Sequence, residues 1–174
     1  MKFGDFLKAT VLLSAASATL LAALTVIALT EESNPTATYV CFGWWALATA
    51  IGSTLGARTE PTSAITNLLA SARTQHSLPE ISPARTIANR LWPLLVVTLG
   101  ASALSVLAPQ IGGIAAGFAI IWALAWRRQE AAVAAIEERD GVRFYVDKTS
   151  PLSAIRLIRT PGFGGDFLHT RSTA

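Results

Sequence analysis

Charged residues are scarce in this sequence of 174 residues, and they are absent from three long stretches. They make up 14% of the chain, whereas about 25% is usual in soluble domains. The charge-free stretches cover residues 9–30, 33–57 and 91–126. A run of roughly 20 apolar residues is long enough to cross a bilayer. The composition therefore excludes an ordinary soluble domain and predicts an integral membrane protein.

Cysteine and histidine are nearly missing as well. The single Cys41 cannot form an intrachain disulfide or a multi-cysteine zinc site, and His76 and His169 have no metal partner at ligand spacing. No combination of Ser, His and Asp suggests a nucleophile, and the glycine-rich residues 162–165 lack the lysine of a phosphate-binding loop. We therefore predict no catalytic residue, no cofactor and no metal site, and a chain that is not an enzyme.

The third charge-free stretch is too long for one span. As a single helix it would extend about 54 Å at 1.5 Å per residue, well beyond the bilayer. Pro109, Gln110 and the pair Gly112 and Gly113 mark the point where it turns back, because proline and glycine interrupt helices. The sequence thus predicts an all-α integral membrane protein of four transmembrane helices in two hairpins, at residues 6–29, 36–57, 91–108 and 110–126.

Basic residues are missing from the two short segments that join the helices of each hairpin. All 14 Lys and Arg lie at the N-terminus, between residues 58 and 90, or after residue 126. Positively charged loops stay on the cytoplasmic side. This pattern predicts a multi-pass protein of the cell membrane with both termini in the cytoplasm. The basic residues form no concentrated patch, so no nucleic-acid partner is expected.

The spans and the segments between them divide the chain into an N-terminal hairpin, a central cytoplasmic loop, a second hairpin and a cytoplasmic tail, at residues 1–57, 58–90, 91–126 and 127–174. In the loop, Ile65, Leu68, Leu69 and Ala72 follow the spacing of a helix with one apolar face. We expect an amphipathic helix over residues 62–73. It would lie on the inner membrane surface or against the tail.

The tail is predicted to contain three elements. The fourth helix continues to Asp140, where Gly141 ends it in the left-handed backbone conformation. Alternating apolar residues over 142–146 predict a short strand with no evident partner. A serine-proline start then predicts a basic, partly amphipathic helix over residues 152–160.

Phe144 and Tyr145 are the conspicuous aromatic residues of this tail. They are either anchors for a partner or the face by which the tail folds against the central loop, and the sequence leaves both interpretations open. A second set of residues would hold the tail on the inner membrane surface, because arginines attract anionic lipid and isoleucines enter the headgroup boundary. This set consists of Arg127, Arg128, Ile155, Arg156, Ile158 and Arg159.

Glycines recur at a four-residue spacing in two spans. Gly52 and Gly56 form one pair, and Gly113 and Gly117 form the other. This spacing lets helix backbones approach closely. The two pairs predict helix packing, either inside the four-helix bundle or between two copies of the chain.

The predicted function is that of a small membrane scaffold or accessory subunit whose loop and tail engage a partner or the inner membrane surface. The alternative is a transporter or channel subunit that acts as a homo-oligomer, because four short helices enclose little of a pathway alone. Apart from Lys8 at the inner edge of the first span, no Asp, Glu, Lys, Arg or His lies within a span, which disfavours an ion pathway. The expected partners are the lipid bilayer and either further copies of the chain or a larger membrane complex.

Overall fold

The computed structural model describes residues 1–32, 35–58, 60–74, 83–147 and 154–161. These residues form six helical segments and three short strands. In chain order they are α1 (Phe3–Glu32), α2 (Pro35–Leu55), α3 (Ser63–Ala70), β1 (Arg73–Thr74), α4 (Pro83–Ser105), α5 (Pro109–Trp126), α6 (Gln129–Asp140), β2 (Val142–Val146) and β3 (Leu157–Pro161). The predicted helix start at 150–151, the glycines at 162–165 and both histidines lie outside the described residues.

Three helices of the described chain are long and apolar enough to cross a membrane. They are α1, α4 and α5, and α5 continues into α6 after a turn at residues 127–128. The helix α2 has 21 residues and no charged side chain, but Thr, Tyr and Trp dilute its apolar character and it is not among the three. The chain is thus mostly helical, as predicted, and carries the apolar helices of a membrane protein.

The turn between α4 and α5 lies slightly before the predicted position. α4 ends at Ser105, and Ala108 has an extended backbone with φ −149° and ψ 102°. Pro109 then takes the first helical position, where its missing N–H removes no hydrogen bond. Gly112 and Gly113 consequently lie inside α5, where they serve close packing rather than the turn.

The helices α1, α2, α4 and α5 form a bundle. Its central helix is α5, which packs most extensively against α1 and α2. Its buried face consists largely of small residues, namely Gly112, Gly113, Ala116, Gly117, Ala119 and Ala123. Small residues allow neighbouring backbones to approach. α4 is held less closely, since a smaller part of its apolar segment is buried than in the helix that begins with α5. Much of the α4 surface is therefore left uncovered by the chain.

A three-stranded sheet joins the tail to the central loop in the order β1–β3–β2. β3 pairs antiparallel with β2, with Phe144 opposite Arg159, and parallel with β1, with Arg73 opposite Ile158. The strand predicted over 142–146 is confirmed. The left-handed end of α6 is also confirmed, with φ 61° at the glycine that precedes β2.

The helix predicted over residues 152–160 is wrong, because residues 154–156 have no regular structure and residues 157–161 form β3, while residues 152 and 153 lie outside the described residues. Leu157 and Ile158 are adjacent in sequence and both 3% exposed. A strand covered on both faces allows this, whereas a surface helix with one apolar face does not. The β-branched side chains of Ile158 and Thr160 also favour a strand. The partner that the first tail strand was expected to lack therefore lies in the same tail.

Candidate functional site

The segments outside the bundle converge on one apolar core. We call these segments, namely residues 1–2, α3, the three strands, residues 154–156 ahead of β3, and α6, the cap. Its core also includes the adjoining ends of α1 and α4, and consists of Phe3, Phe6, Leu7, Ile65, Leu91, Val133, Val142, Phe144, Val146 and Leu157. Because Ile65 belongs to the predicted loop helix, the tail does fold against the central loop, which was one of the two arrangements left open by the sequence.

The first residues of the chain extend the sheet at its β2 edge. The backbone N–H of Val146 donates to the carbonyl of Met1 over 3.1 Å, and Lys2 forms an antiparallel bridge with Tyr145. Phe3 then enters the core at 1% exposure. The chain start, the loop and the tail therefore complete one folded unit together.

Two consecutive residues at the junction of α5 and α6 connect the cap to the bundle. The side-chain carbonyl of Gln129, a residue only 1% exposed, accepts a hydrogen bond of 3.0 Å from the backbone N–H of Thr62. The guanidinium of Arg128 donates over 3.0 Å to the carbonyl of Ala57. Ala57 lies in the turn that follows α2. Arg128 therefore provides a partner for a carbonyl of this turn and holds the start of the central loop.

A cavity of about 340 Å³ lies beneath the cap, where α3 covers the adjoining ends of α1, α4 and α5. Most of its wall is apolar, and it includes Trp122 and Trp126, whose stacked rings have centroids 5.6 Å apart. Arg90 is the one charged residue among the described residues that line this cavity. A guanidinium among apolar walls suits the binding of an anionic group.

An open apolar groove of about 670 Å³ runs along the bundle between α4 and α5. Leu94 and Trp122 line both the groove and the cavity, so the two are contiguous. On α4 the groove extends from Leu94 to Leu104, which corresponds to about 15 Å at 1.5 Å per residue. Gly100 lies in its wall, and a Cβ added there would meet no atom within 4 Å.

A row of buried hydroxyls along α1 was missed by the sequence analysis. Thr10, Ser14, Ser17 and Thr25 are each at most 7% exposed. The hydroxyl of Thr98 on α4 lies 3.0 Å from that of Ser17, within hydrogen-bond distance. The Oγ of Ser14 has no hydrogen-bond partner within the described ranges. The sequence does contain a signal for this row, because the four residues of α1 fall on one helical face. A search for ionisable residues alone does not find it, because Ser and Thr are uncharged.

Gly52 and Gly56 lie where the end of α2 meets α5. A Cβ at Gly52 would come within 3.1 Å of the Cα of Ile121, and a Cβ at Gly56 would meet the backbone carbonyl of Leu124. Neither contact could be relieved by rotating a side chain, because both involve the backbone of α5. This pair therefore marks a close approach of α2 and α5 within one chain.

Gly113 and Gly117 lie in α5 beneath side chains of α2. A Cβ at Gly113 would come 2.6 Å from the Sγ of Cys41, and a Cβ at Gly117 would meet the ring of Trp44. The indole N–H of Trp45 donates over 2.8 Å to the carbonyl of Gly113. The absent side chains thus make room for Cys41 and for the ring of Trp44, and the indoles of Trp44 and Trp45 donate hydrogen bonds to the backbone of α5.

The residues predicted to face a partner or the membrane fall into three groups. Phe144 and Ile158 are each 3% exposed. For Phe144 this agrees with the interpretation in which the tail folds against the central loop, whereas the predicted contact of Ile158 with the membrane is wrong. Both belong to the sheet, where they are enclosed by neighbouring elements. Tyr145 and Ile155 are half-buried. The exposed members of the set are Arg127, Arg128, Arg156 and Arg159.

No group of His, Cys, Asp or Glu within the part of the chain that the structure describes could hold a metal ion. Comparison with protein-family models, with curated proteins and with solved structures finds no match for this chain.

Proposed function

We propose that this chain is a membrane scaffold whose helices α1, α2, α4 and α5 all cross the bilayer. The length of α2, 21 residues, matches the roughly 20 residues that crossing requires. One side of α2 packs against α5, and its other side exposes apolar residues such as Val40 at 65% and Leu47 at 53%. A helix with one packed side and one exposed apolar side suits contact with lipid.

The distribution of charge supports a cytoplasmic location for the cap. All 14 Lys and Arg of the sequence belong to the chain start, the central loop and the residues after α5. The cap is assembled from the same three segments. Since segments rich in Lys and Arg remain in the cytoplasm, both termini are assigned to that side, and the short connections 33–34 and 106–108 to the other.

Cysteine labelling in intact cells tests this topology. In a Cys41→Ala background, cysteines are introduced at Glu31, Ser71 and Arg143, which are all exposed in the structure. An impermeant maleimide should label Glu31→Cys in intact cells and the other two only after permeabilisation. Labelling of Ser71→Cys from outside would refute the four-span arrangement.

The folded cap supports protein docking as the role of this scaffold. The main support for this role is that three segments far apart in sequence share one apolar core. Simple connections between spans would need no such core. On the surface of this unit Arg143, Arg156 and Arg159 are exposed. A partner with an acidic face is the chemical complement of such a surface.

Photo-crosslinking from the full-length protein in membranes tests the docking role. A photoreactive amino acid is placed at Arg143 or Arg156 in the cap, and at Tyr39, which is 78% exposed on α2, as a control. The same protein adduct should form from both cap positions and not from the control. Adducts with lipid alone would instead favour contact with the inner membrane surface, and the absence of any cap-specific adduct would refute docking.

The row of hydroxyls supports a second function, that of a transporter or channel subunit acting as a homo-oligomer. Ser14 is 0% exposed and its hydroxyl has no partner among the described residues, and such a group is a place for water or a polar solute. This alternative requires several copies of the chain. Light scattering of the protein in a mild detergent measures the copy number, and a monomer at all concentrations would remove the alternative.

A further inference from the structure

The groove between α4 and α5 has the length of one bilayer leaflet. Its extent along α4, from Leu94 to Leu104, is about 15 Å, which is half of the roughly 30 Å hydrocarbon core. Trp122 and Trp126 stack beside its cap-side end. Tryptophan concentrates at the boundary between lipid tails and headgroups. The groove therefore begins at the depth where acyl chains begin.

The cavity at this end of the groove provides a charge at the depth of the headgroups. Arg90 precedes Leu94 by one helical turn on the cap side, and both residues line the cavity. The volume of about 340 Å³ falls in the usual range for small-molecule sites. A transmembrane helix, with a diameter of roughly 10 Å including side chains, cannot reach beneath α3. A lipid fits both features, with its headgroup in the cavity and a thin acyl chain in the groove.

We propose that the cavity and the groove bind one anionic phospholipid of the inner leaflet. Its phosphate lies at Arg90 in the cavity, and one acyl chain follows the groove past Leu94 and Gly100. Charge complementarity decides for a lipid over a second copy of the chain, because the cation and the apolar channel are contiguous. This site rests on the proposed placement of α4 and α5 in the bilayer and goes beyond the docking role of the cap.

The headgroup contact is tested by native mass spectrometry of the full-length protein in mild detergent. With added phosphatidylglycerol or phosphatidylcholine, the wild type should bind one phosphatidylglycerol per chain, with a preference of about tenfold. Arg90→Gln should lose the preference, and Arg90→Lys should keep part of it. Arg85→Gln, at an exposed position in the first turn of the same helix, should behave as wild type. Equal preference in Arg90→Gln would overturn the headgroup assignment.

The acyl-chain contact is tested by filling the groove. Gly100→Leu places a side chain where a Cβ meets nothing within 4 Å, and Gly43→Leu does the same on α2, outside the groove. Both variants should keep the wild-type melting temperature without lipid. Gly100→Leu should then lose the bound phosphatidylglycerol and its thermal stabilisation, whereas Gly43→Leu should keep both. Undiminished binding by Gly100→Leu would overturn the site, and it would do so whatever the cysteine-labelling and crosslinking experiments report.

Discussion

In the bundle many of the larger apolar side chains are exposed, whereas in the cap they are buried or half-buried. Leu12, Val97 and Phe118 of the bundle are 69%, 63% and 60% exposed, while Phe144 and Val146 of the cap are 3% and 0% exposed. Lipid is as apolar as leucine, so helices in a bilayer associate by close packing of small residues rather than by burial. In water, burial of apolar surface is the main driving force. One chain thus combines two modes of packing, of which the first suits lipid and the second suits water.

The largest effect expected from this contrast is in the cap. Phe144→Ala should destabilise the cap by about 3–5 kcal/mol, because it removes a ring that is 3% exposed from the core and leaves a void. Phe118→Ala, at a position 60% exposed in the bundle, is the matched control and should change little. Thermal unfolding in detergent, with hydrogen exchange to separate cap from bundle, measures both. Equal losses from the two variants would mean that the bundle also depends on burial of large side chains.

A smaller effect is expected where helix backbones touch. Gly56→Ala should cost about 1–3 kcal/mol, because the added Cβ meets the carbonyl of Leu124. Gly43→Ala adds the same methyl group where nothing lies within 4 Å, and should leave the stability unchanged or slightly raised. The comparison of the two melting temperatures in one detergent is the measurement. An unchanged Gly56→Ala protein would show that α2 and α5 have room to separate.

The connection between the two regions should come next in size. Gln129→Met removes the acceptor for the backbone N–H of Thr62, which should cost about 1 kcal/mol. The loss should appear as faster hydrogen exchange in α3 and not in α5. Gln110→Met, at an exposed position near the opposite end of α5, serves as the control. Protection of α3 that is identical in wild type and Gln129→Met would mean that the apolar core alone holds this helix.

The ion pair at the end of α6 should matter least. A hydrogen bond of 2.8 Å from Arg139 lowers the pKa of Asp140. A carboxyl whose pKa is lower in the folded chain stabilises the fold above its unfolded pKa and loses that contribution as the pH falls through its folded pKa. Asp140→Asn should therefore lower the melting temperature slightly at neutral pH, and the difference should shrink below about pH 4. A difference that grows on acidification would contradict this assignment.

The helices of the bundle could be predicted because the positions of charged residues along the chain can be seen directly in the sequence. Charge-free runs and the residues that interrupt them placed α1, α2 and α5, and the end of α4, within about three residues of their observed positions. α4 itself begins at Pro83, before the charge-free run that predicted it, because its first turns contain Arg85 and Arg90. The row of hydroxyls on α1 could have been predicted in the same way, because all four residues belong to one helix and their spacing places them on one face. Patterns of this kind lie within one segment, so they can be recognised from the sequence alone.

The strand β3 and the apolar compartments could not be predicted in that way. Ile158 is buried because β1 and β2 flank it, and β1 is a two-residue strand with no pattern of its own. The groove exists because α4 packs incompletely against α1 and α5, and its continuity with the cavity depends on two side chains, Leu94 and Trp122. Such features arise from the relative positions of helices, which no single segment encodes.

The strand order β1–β3–β2 has a consequence for the order of events during synthesis. The central strand is the last of the three to leave the ribosome, so β1 and β2 remain without their shared neighbour until residues 157–161 are available. By then α1 to α6 have all been synthesised. Closure of the cap is therefore a late step. A chain that stops before β3 would carry unpaired edges on β1 and β2, and such edges invite association with other chains.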